Sequence, residues 1–400
     1  MGVTPLMWES LDKFASSYRR IWLCPIDWNT IKKCFVFHPT SIKLVPYIIS
    51  SFVVIPMSLI SYVYILLEKL FGTSELPLID VLVGCFIFIL GSGGLFTETV
   101  LLLRSRNIVL ASNSMIIHDR KLQSGLPKKR PRKRARKGND ILGLILTNVV
   151  IFFKYYQFLG IFAILYFEMD AIHLVRTHIL AQNSNPVAWF TLRLTQIVAC
   201  IQVCRGYCFI IILATVLGHL FLQCIDTVDK TCENILQRDL AKVDRYLNGY
   251  NAMRIVNTMV RSETGGGTCF GMLIGILVCV FLNYGSIKLP SVLPTLPLIC
   301  CLMLSVPAPA CLRLMLPMLV AAYEDGKSIM EKWKYLVAET DNRKYLVRRL
   351  KGIRLIYIEG ILFDFRIYRC DKSIKATYYY AILDYTITAL MAIDNRWFIY

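Results

Sequence analysis

Seven long apolar runs alternate along this chain with segments that hold nearly all of its positive charge. The runs cover residues 44–67, 77–103, 141–168, 187–222, 268–285, 290–323 and 376–394. About 20 apolar residues in a helix cross the roughly 30 Å of bilayer hydrocarbon. The segments that would share one side, 1–43, 104–140, 223–267 and 324–375, carry 6, 12, 6 and 13 Lys plus Arg, which is 37 of the 45 in the chain. The opposite side has only Lys69, Arg176, Lys288 and Arg396. Basic flanks stay in the cytoplasm, so the expected fold is an all-α polytopic membrane protein with seven transmembrane helices. Its N-terminus is expected in the cytoplasm and its C-terminus outside, the reverse of a G-protein-coupled receptor.

With 56% hydrophobic residues and a mean hydropathy of +0.53, the chain is too apolar for a soluble fold. A net charge of +18 would suggest nucleic acid in a soluble protein. Here it belongs to the cytoplasmic side, facing anionic lipid, and no nucleic-acid partner is expected. The first run starts behind Lys32, Lys33 and Lys43, so that span is expected to act as an uncleaved anchor. None of the 14 cysteines falls in the short outer segments, which excludes an extracellular disulfide framework. Cys200, Cys204 and Cys208 form a stripe in the fourth run. They could be drawn as a metal site or as small residues for close helix packing; without a nearby His the second reading is preferred, and neither metal nor cofactor is expected.

The fourth run is 36 residues, about 54 Å as a helix, longer than the bilayer is thick. Splitting it in two would put the 13 basic residues of 324–375 outside, so it reads as one helix that crosses and continues into the cytoplasm. The sixth run, 290–323, invites the same reading, with Pro290, Pro294, Pro297, Pro307, Pro309 and Pro317 predicting kinks or a break. Protruding apolar helices need partners. Leu236, Leu240, Val243 and Leu247, then Leu346, Leu350, Ile353 and Ile356, recur at helical spacing, predicting a cytoplasmic anchor layer. Gly265, Gly266 and Gly267 are read as a helix break or a hinge. The basic stretch Lys128–Lys137 either contacts anionic lipid or is a disordered loop that fixes topology. Four regions follow: an N-terminal segment 1–43, a six-helix bundle 44–323 with its cytoplasmic extensions, a helical segment 324–375, and a last helix with a short outer tail, 376–400.

In the last run Thr377, Tyr380, Asp384, Thr388 and Met391 fall three or four apart and share one helix face. A carboxylate inside a membrane helix is costly and faces water or a partner; the alternative is a buried Asp384 bonded to another helix of the same subunit.

Seven spans, an inside N-terminus, over-long fourth and sixth helices and a terminal last span together resemble the insect chemoreceptor superfamily, especially gustatory receptors. That family's signature in the last span is Thr-Tyr, five hydrophobic residues, then Gln-Phe. Thr377-Tyr378, Tyr379 to Leu383 and Asp384-Tyr385 match its first seven positions and replace Gln-Phe. A second register starts from Asp371-Lys372-Ser373, the triplet that opens the span in the family, and places the signature at Asp384-Tyr385 through Met391-Ala392. Either way this is a divergent member.

The resemblance implies a ligand-gated, non-selective cation channel for taste, with four copies of the last span around a central path. Tyr385 and Ala392 then join the five residues above as pore-lining candidates, and Asp394 could gather cations at the outer mouth. It implies a small-molecule tastant, assembly as a homotetramer or with related chains, and the plasma membrane of sensory dendrites. A ligand pocket in the family's manner opens outward within one subunit, which selects Asp80, Trp189, Phe190, Arg193, Gln196, Asn283 and Tyr284. Trp189 and Tyr284 also read as interfacial belt residues. Asp80 or a ligand acid is a candidate partner for Arg193, and Lys154 with Glu98 a further pair.

The other classes weighed are a metabotropic seven-span receptor, a transporter and a membrane enzyme. The charge pattern opposes the first. No pair of broken spans in corresponding halves supports the second. His38, His118, His173, His178 and His219 form no ligand cluster in the spans for the third.

Overall fold

The computed structural model describes residues 2–71, 77–124, 140–166, 170–178, 186–236, 240–291, 295–338, 343–362 and 365–392. The basic stretch Lys128–Lys137 and Asp394 lie outside them, as do the side chains of Leu236, Leu240 and Val243.

Helix α1 (Pro5–Tyr18) begins where the Thr4 hydroxyl accepts from the Met7 N–H at 3.3 Å with Pro5 in the first turn, a standard start signal. Met7, Leu11, Phe14 and Tyr18 recur on one buried face. A hairpin of β1 (Ile26–Asn29) and β2 (Cys34–Phe37) follows, with Trp28 opposite Phe35. Asn29 Oδ1 accepts from Ile31 and Lys32 in the turn, and Lys33 takes the left-handed conformation at φ 49°.

The first span combines a 3-10 turn, α2 (Val45–Ile49), a π-helical turn at Ser50–Val54 and α3 (Ile55–Phe71). Pro56 has no N–H to give the preceding turn, and the wider turn accommodates that loss. The second span is α4 (Leu78–Leu103); α5 (Ser105–Ser124) leads back at its basic end. The third is α6 (Ile141–Tyr166), after which the short α7 (Ala171–His178) turns into α8 (Pro186–Leu236). At 51 residues α8 is one helix that crosses and protrudes. Then come α9 (Leu240–Met259), the fifth span α10 (Arg261–Lys288), α11 (Thr295–Ser305) and α12 (Pro307–Ala338), α13 (Arg343–Lys351), a second hairpin of β3 (Glu359–Leu362) and β4 (Phe365–Arg369), and α14 (Lys372–Ala392).

Among the described residues, six helical segments are long and apolar enough to cross a membrane. The seventh, α14, is 21 residues long, about 31 Å and thus a full crossing, but carries a more polar set of side chains. The sixth span breaks at Val306, just before Pro307, as its prolines foretold. Gly265, Gly266 and Gly267 do not break the chain: they lie inside α10, and the interruption falls at Val260, five residues earlier. A Cβ on Gly265 would come within 2.7 Å of Ile361, so glycine there lets β3 lie against the helix.

The largest apolar core sits at the basic end. It joins α1, the first hairpin, α5, the protruding half of α8, α9, α12 and α13, and includes Leu247, Leu346, Leu350, Ile353 and Ile356. Asn113 of α5 pins β2 through both its amide groups, Oδ1 to the Phe35 N–H at 2.9 Å and Nδ2 to the Phe35 carbonyl at 2.8 Å. The two hairpins are additions to the all-α expectation, each short and closed by one partner strand.

Trp333 of α12 is 1% exposed and meets Tyr250 edge to face at 5.4 Å. Trp333→Ala should cost about 3–5 kcal/mol, seen as a lower melting midpoint of the detergent-solubilised protein. Tyr335→Ala, two residues on and largely exposed, should leave that midpoint unchanged.

Candidate functional site

The last helix has two unlike faces. Tyr378 and Thr386, 4% and 7% exposed, turn inward, whereas Tyr380 and Met391 are 69% and 81% exposed. Thr377, Asp384, Tyr385, Thr388 and Ala392 are exposed as well. The face selected by helical spacing is therefore the one the subunit leaves uncovered. Asp384 makes no hydrogen bond or ion pair with any described residue, which removes the alternative of an acid buried within its own subunit.

The inward face is held by α10. The Tyr378 hydroxyl donates to the Met272 carbonyl at 3.0 Å, and Asn283 Nδ2 donates to Thr386 Oγ1 at 3.3 Å. Gly275 makes the first contact possible, because a Cβ there would stand 2.5 Å from the Tyr378 hydroxyl. The triplet Asp371-Lys372-Ser373 is the helix cap. Asp371 Oδ1 accepts from Ser373 Oγ at 2.6 Å and from the Ile374 N–H at 3.0 Å, and these bonds hold its carboxyl below the usual range. Lys372 reaches Glu324 of α12 at 3.5 Å. The two signature registers thus have different structural content: Tyr378 packs inward, and Tyr385 points out.

The seven ligand candidates all lie at the end opposite the basic layer, and the structure divides them. Arg193 is paired with Asp170, not Asp80: its Nε reaches the fully buried Asp170 carboxylate at 2.8 Å, and the guanidinium also donates to the Leu165 carbonyl. Gln196 accepts from Ser58 of the first span at 2.7 Å. Asn283 is engaged with α14, and Tyr284 is buried, which argues against a belt role for it. Trp189 is half-buried and Phe190 exposed at the start of α8, and Asp80 stands in the first turn of α4. Glu98 and Lys154 are not a pair. Glu98 is buried beside Ser51 and shares a void of about 10 Å³ with Arg205, while Lys154 lies over the Tyr155 ring.

The large cavity is elsewhere. It measures about 540 Å³ and lies between α4, α5, α6, α8, α10 and α12, in the half of the bundle nearer the basic layer. That is within the range of small-molecule pockets. None of the seven candidates lines it. Its walls are apolar and aromatic, with Phe96 stacked on Phe270 at 4.1 Å and Phe152 on Tyr156 at 4.9 Å. One wall is a stripe of small residues, Gly267, Gly271 and Gly275 of α10. A Cβ on Gly267 or Gly271 would meet nothing within 4 Å: the wall recedes because these side chains are missing. That stripe was the signal in the sequence, glycines four apart inside an apolar helix. Tyr378 also lines the cavity.

The fold has solved counterparts. The insect olfactory receptor OR5 from Machilis hrabei, in complex with eugenol, superposes with a TM-score of 0.64 at 10% identity, over 96% of this chain and 98% of that one. The chain has the fold of an insect olfactory receptor. The same receptor in a structure without eugenol in its description matches at 0.63 with the same identity and coverage. No protein-family profile matches the sequence, and neither does any curated protein. At this identity the likeness establishes the architecture.

Since Asp384 has no partner among the described residues, Asp384→Asn should change stability by less than about 0.5 kcal/mol. Surface expression and melting midpoint should match the unsubstituted protein. A collapse of expression would show that the carboxylate is structurally engaged.

Proposed function

We propose that the chain is one subunit of a ligand-gated, non-selective cation channel for chemosensory detection, of the gustatory rather than the olfactory branch. The observation that carries this reading is the double placement of the last helix. Through Tyr378 it forms part of the wall of a ligand-sized cavity, and on its opposite face it presents Asp384 and hydroxyl groups to whatever lies outside the subunit. A helix that touches a ligand on one side and an ion path on the other converts occupancy into conduction with few intermediates. The protein that shares this fold is described with eugenol, a small molecule, which supports a small-molecule tastant here.

Four copies would set Thr377, Tyr380, Asp384, Tyr385, Thr388, Met391 and Ala392 around one axis, and a ring of carboxylates favours cations. The exposed apolar side chains beside them, Leu383 and Ile387 among others, suit burial against a neighbouring copy or a related chain. The basic segments orient the N-terminus into the cytoplasm, and Lys128–Lys137 would meet anionic lipid there. The setting is the plasma membrane of a sensory neuron. The branch assignment rests on the signature in the last span and on its Asp-Lys-Ser cap.

Orientation is tested by tags: one at residue 1 should stain only after permeabilisation, and one after Tyr400 should stain on intact cells. The reverse pattern would overturn the topology. Coupling is tested at Gly275. Gly275→Ala drives a methyl into the Tyr378 hydroxyl and against the Leu312 side chain of α12, and so presses on the last helix without touching its outward face. Whole-cell recording should show an altered basal current at normal surface expression, whereas Asp384→Asn should lower cation conductance and leave basal open probability unchanged. Wild-type gating in Gly275→Ala together with wild-type conductance in Asp384→Asn would sink the channel reading.

A further inference from the structure

Among the described residues that line the large cavity, Glu263 is the only one with a carboxylate, and no Lys, Arg or His joins it. Its side chain is 5% exposed. One oxygen, Oε1, lies 3.3 Å from Asn107 Nδ2 and 3.6 Å from Arg104 Nε. Both are long contacts, and the Arg104 side chain is half in solvent, where its charge is screened. The other oxygen, Oε2, is buried with no hydrogen-bond partner among the described residues. A buried carboxylate oxygen left without a donor is costly.

Among the described lining residues no other side chain has a buried polar atom left without a partner, and Asn257 Nδ2 donates to the Tyr357 carbonyl. Thr97, Ser112, Thr264 and Thr268 each donate to the carbonyl four residues back. Tyr207 donates to the Leu90 carbonyl and Tyr378 to that of Met272. A second feature suits the rest of such a ligand. Phe270 lies seven residues after Glu263 on the cavity-lining face of α10, about 10 Å along the helix, and stacks with Phe96, which also lines the cavity. At that distance the two rings offer apolar surface to the body of a ligand whose head reaches Glu263.

We infer that the cavity takes an apolar organic amine, with the protonated nitrogen donating to Glu263 Oε2 and the body lying along Phe96 and Phe270 towards Ile274. Binding requires the carboxylate to turn about its last torsion, because Oε2 is itself buried, and to give up the long Oε1 contacts with Asn107 and Arg104. The cationic head supplies the donor that the protein omits, and the glycine stripe leaves room for the body. This rests on the reading of the cavity as the ligand site and adds the class of ligand to it.

The test uses the full chain in lipid nanodiscs and one skeleton with three heads: phenylbutylamine, phenylbutanol and phenylbutanoic acid. Binding is read by thermal shift and tryptophan quenching, and currents are recorded separately. The amine should bind at least about tenfold more tightly than the alcohol, as a charge-assisted hydrogen bond requires, and the acid should not bind. Glu263→Gln should erase the advantage of the amine. Gly271→Leu, whose Cβ would meet no heavy atom within 4 Å, should abolish binding of amine and alcohol alike. Equal binding of amine and alcohol, or an amine preference unchanged by Glu263→Gln, overturns the proposal. Should Glu263→Gln fail to fold, the wild-type series and Gly271→Leu decide it. Glu263-dependent amine binding without current would keep the site and sink the channel reading; currents evoked by other compounds without amine preference would do the reverse.

Discussion

Burial along α8 is the interaction on which the molecule depends. Cys208, Ile212, Val216, Leu220, Cys224 and Val228 are four residues apart and each is 0% or 1% exposed. A row with that spacing is not parallel to the helix axis: it turns by about 40° at every step, and so sweeps about 200° over its length. The helix must therefore be covered on one side after another. That is why α1, α6, α5, α12 and α9 gather around it, and why the protruding half is a core rather than a stalk. Phe14 of α1 reaches Phe209 with ring centroids 5.3 Å apart. Gln223 accepts from the Val3 N–H at 2.6 Å and donates to Asp119 at 3.0 Å, tying the N-terminal segment and α5 to the same helix.

Much of this architecture was legible because the signals are strong and local. Apolar length and charge alternation gave the spans, excess length gave the protrusions of α8 and α12, and helical spacing gave Leu346, Leu350, Ile353 and Ile356 as core. The prolines of the sixth run gave a kink or break without its position, which the structure puts at Val306. What escaped detection depends on partners distant in sequence. The first hairpin exists because Asn113 and Trp8 receive it, with Trp8 stacked on Trp28 at 5.6 Å, and four-residue strands carry little signal of their own. The three consecutive glycines misled for a related reason. Glycine permits a break, but here the space it leaves is filled by Ile361 from a strand about a hundred residues later.

The candidate site was half legible. Periodicity alone separated the two faces of α14, since a helix that packs on one side leaves a polar stripe on the other. The pocket was sought at the outer end because polar residues collect there; of these, Arg193 pairs with Asp170, Gln196 with Ser58 and Asn283 with Thr386, while the Gln196 amide nitrogen and the Tyr284 hydroxyl are buried without a partner among the described residues. A run of polar side chains marks internal pairing as readily as a binding site. The cavity is instead bounded by missing atoms, and Glu263 is assigned only once its unpartnered oxygen is seen.

The glycine stripe of α10 also bears on how such a chain can change. Gly267 and Gly271 face empty space, and a methyl added at either position would meet no heavy atom within 4 Å. Gly275, one turn further, is the opposite case, committed to Tyr378. The stripe therefore separates two kinds of heritable variation on one helix: two positions where the shape of the cavity can drift at little risk to folding, and one where the same substitution presses on the last helix.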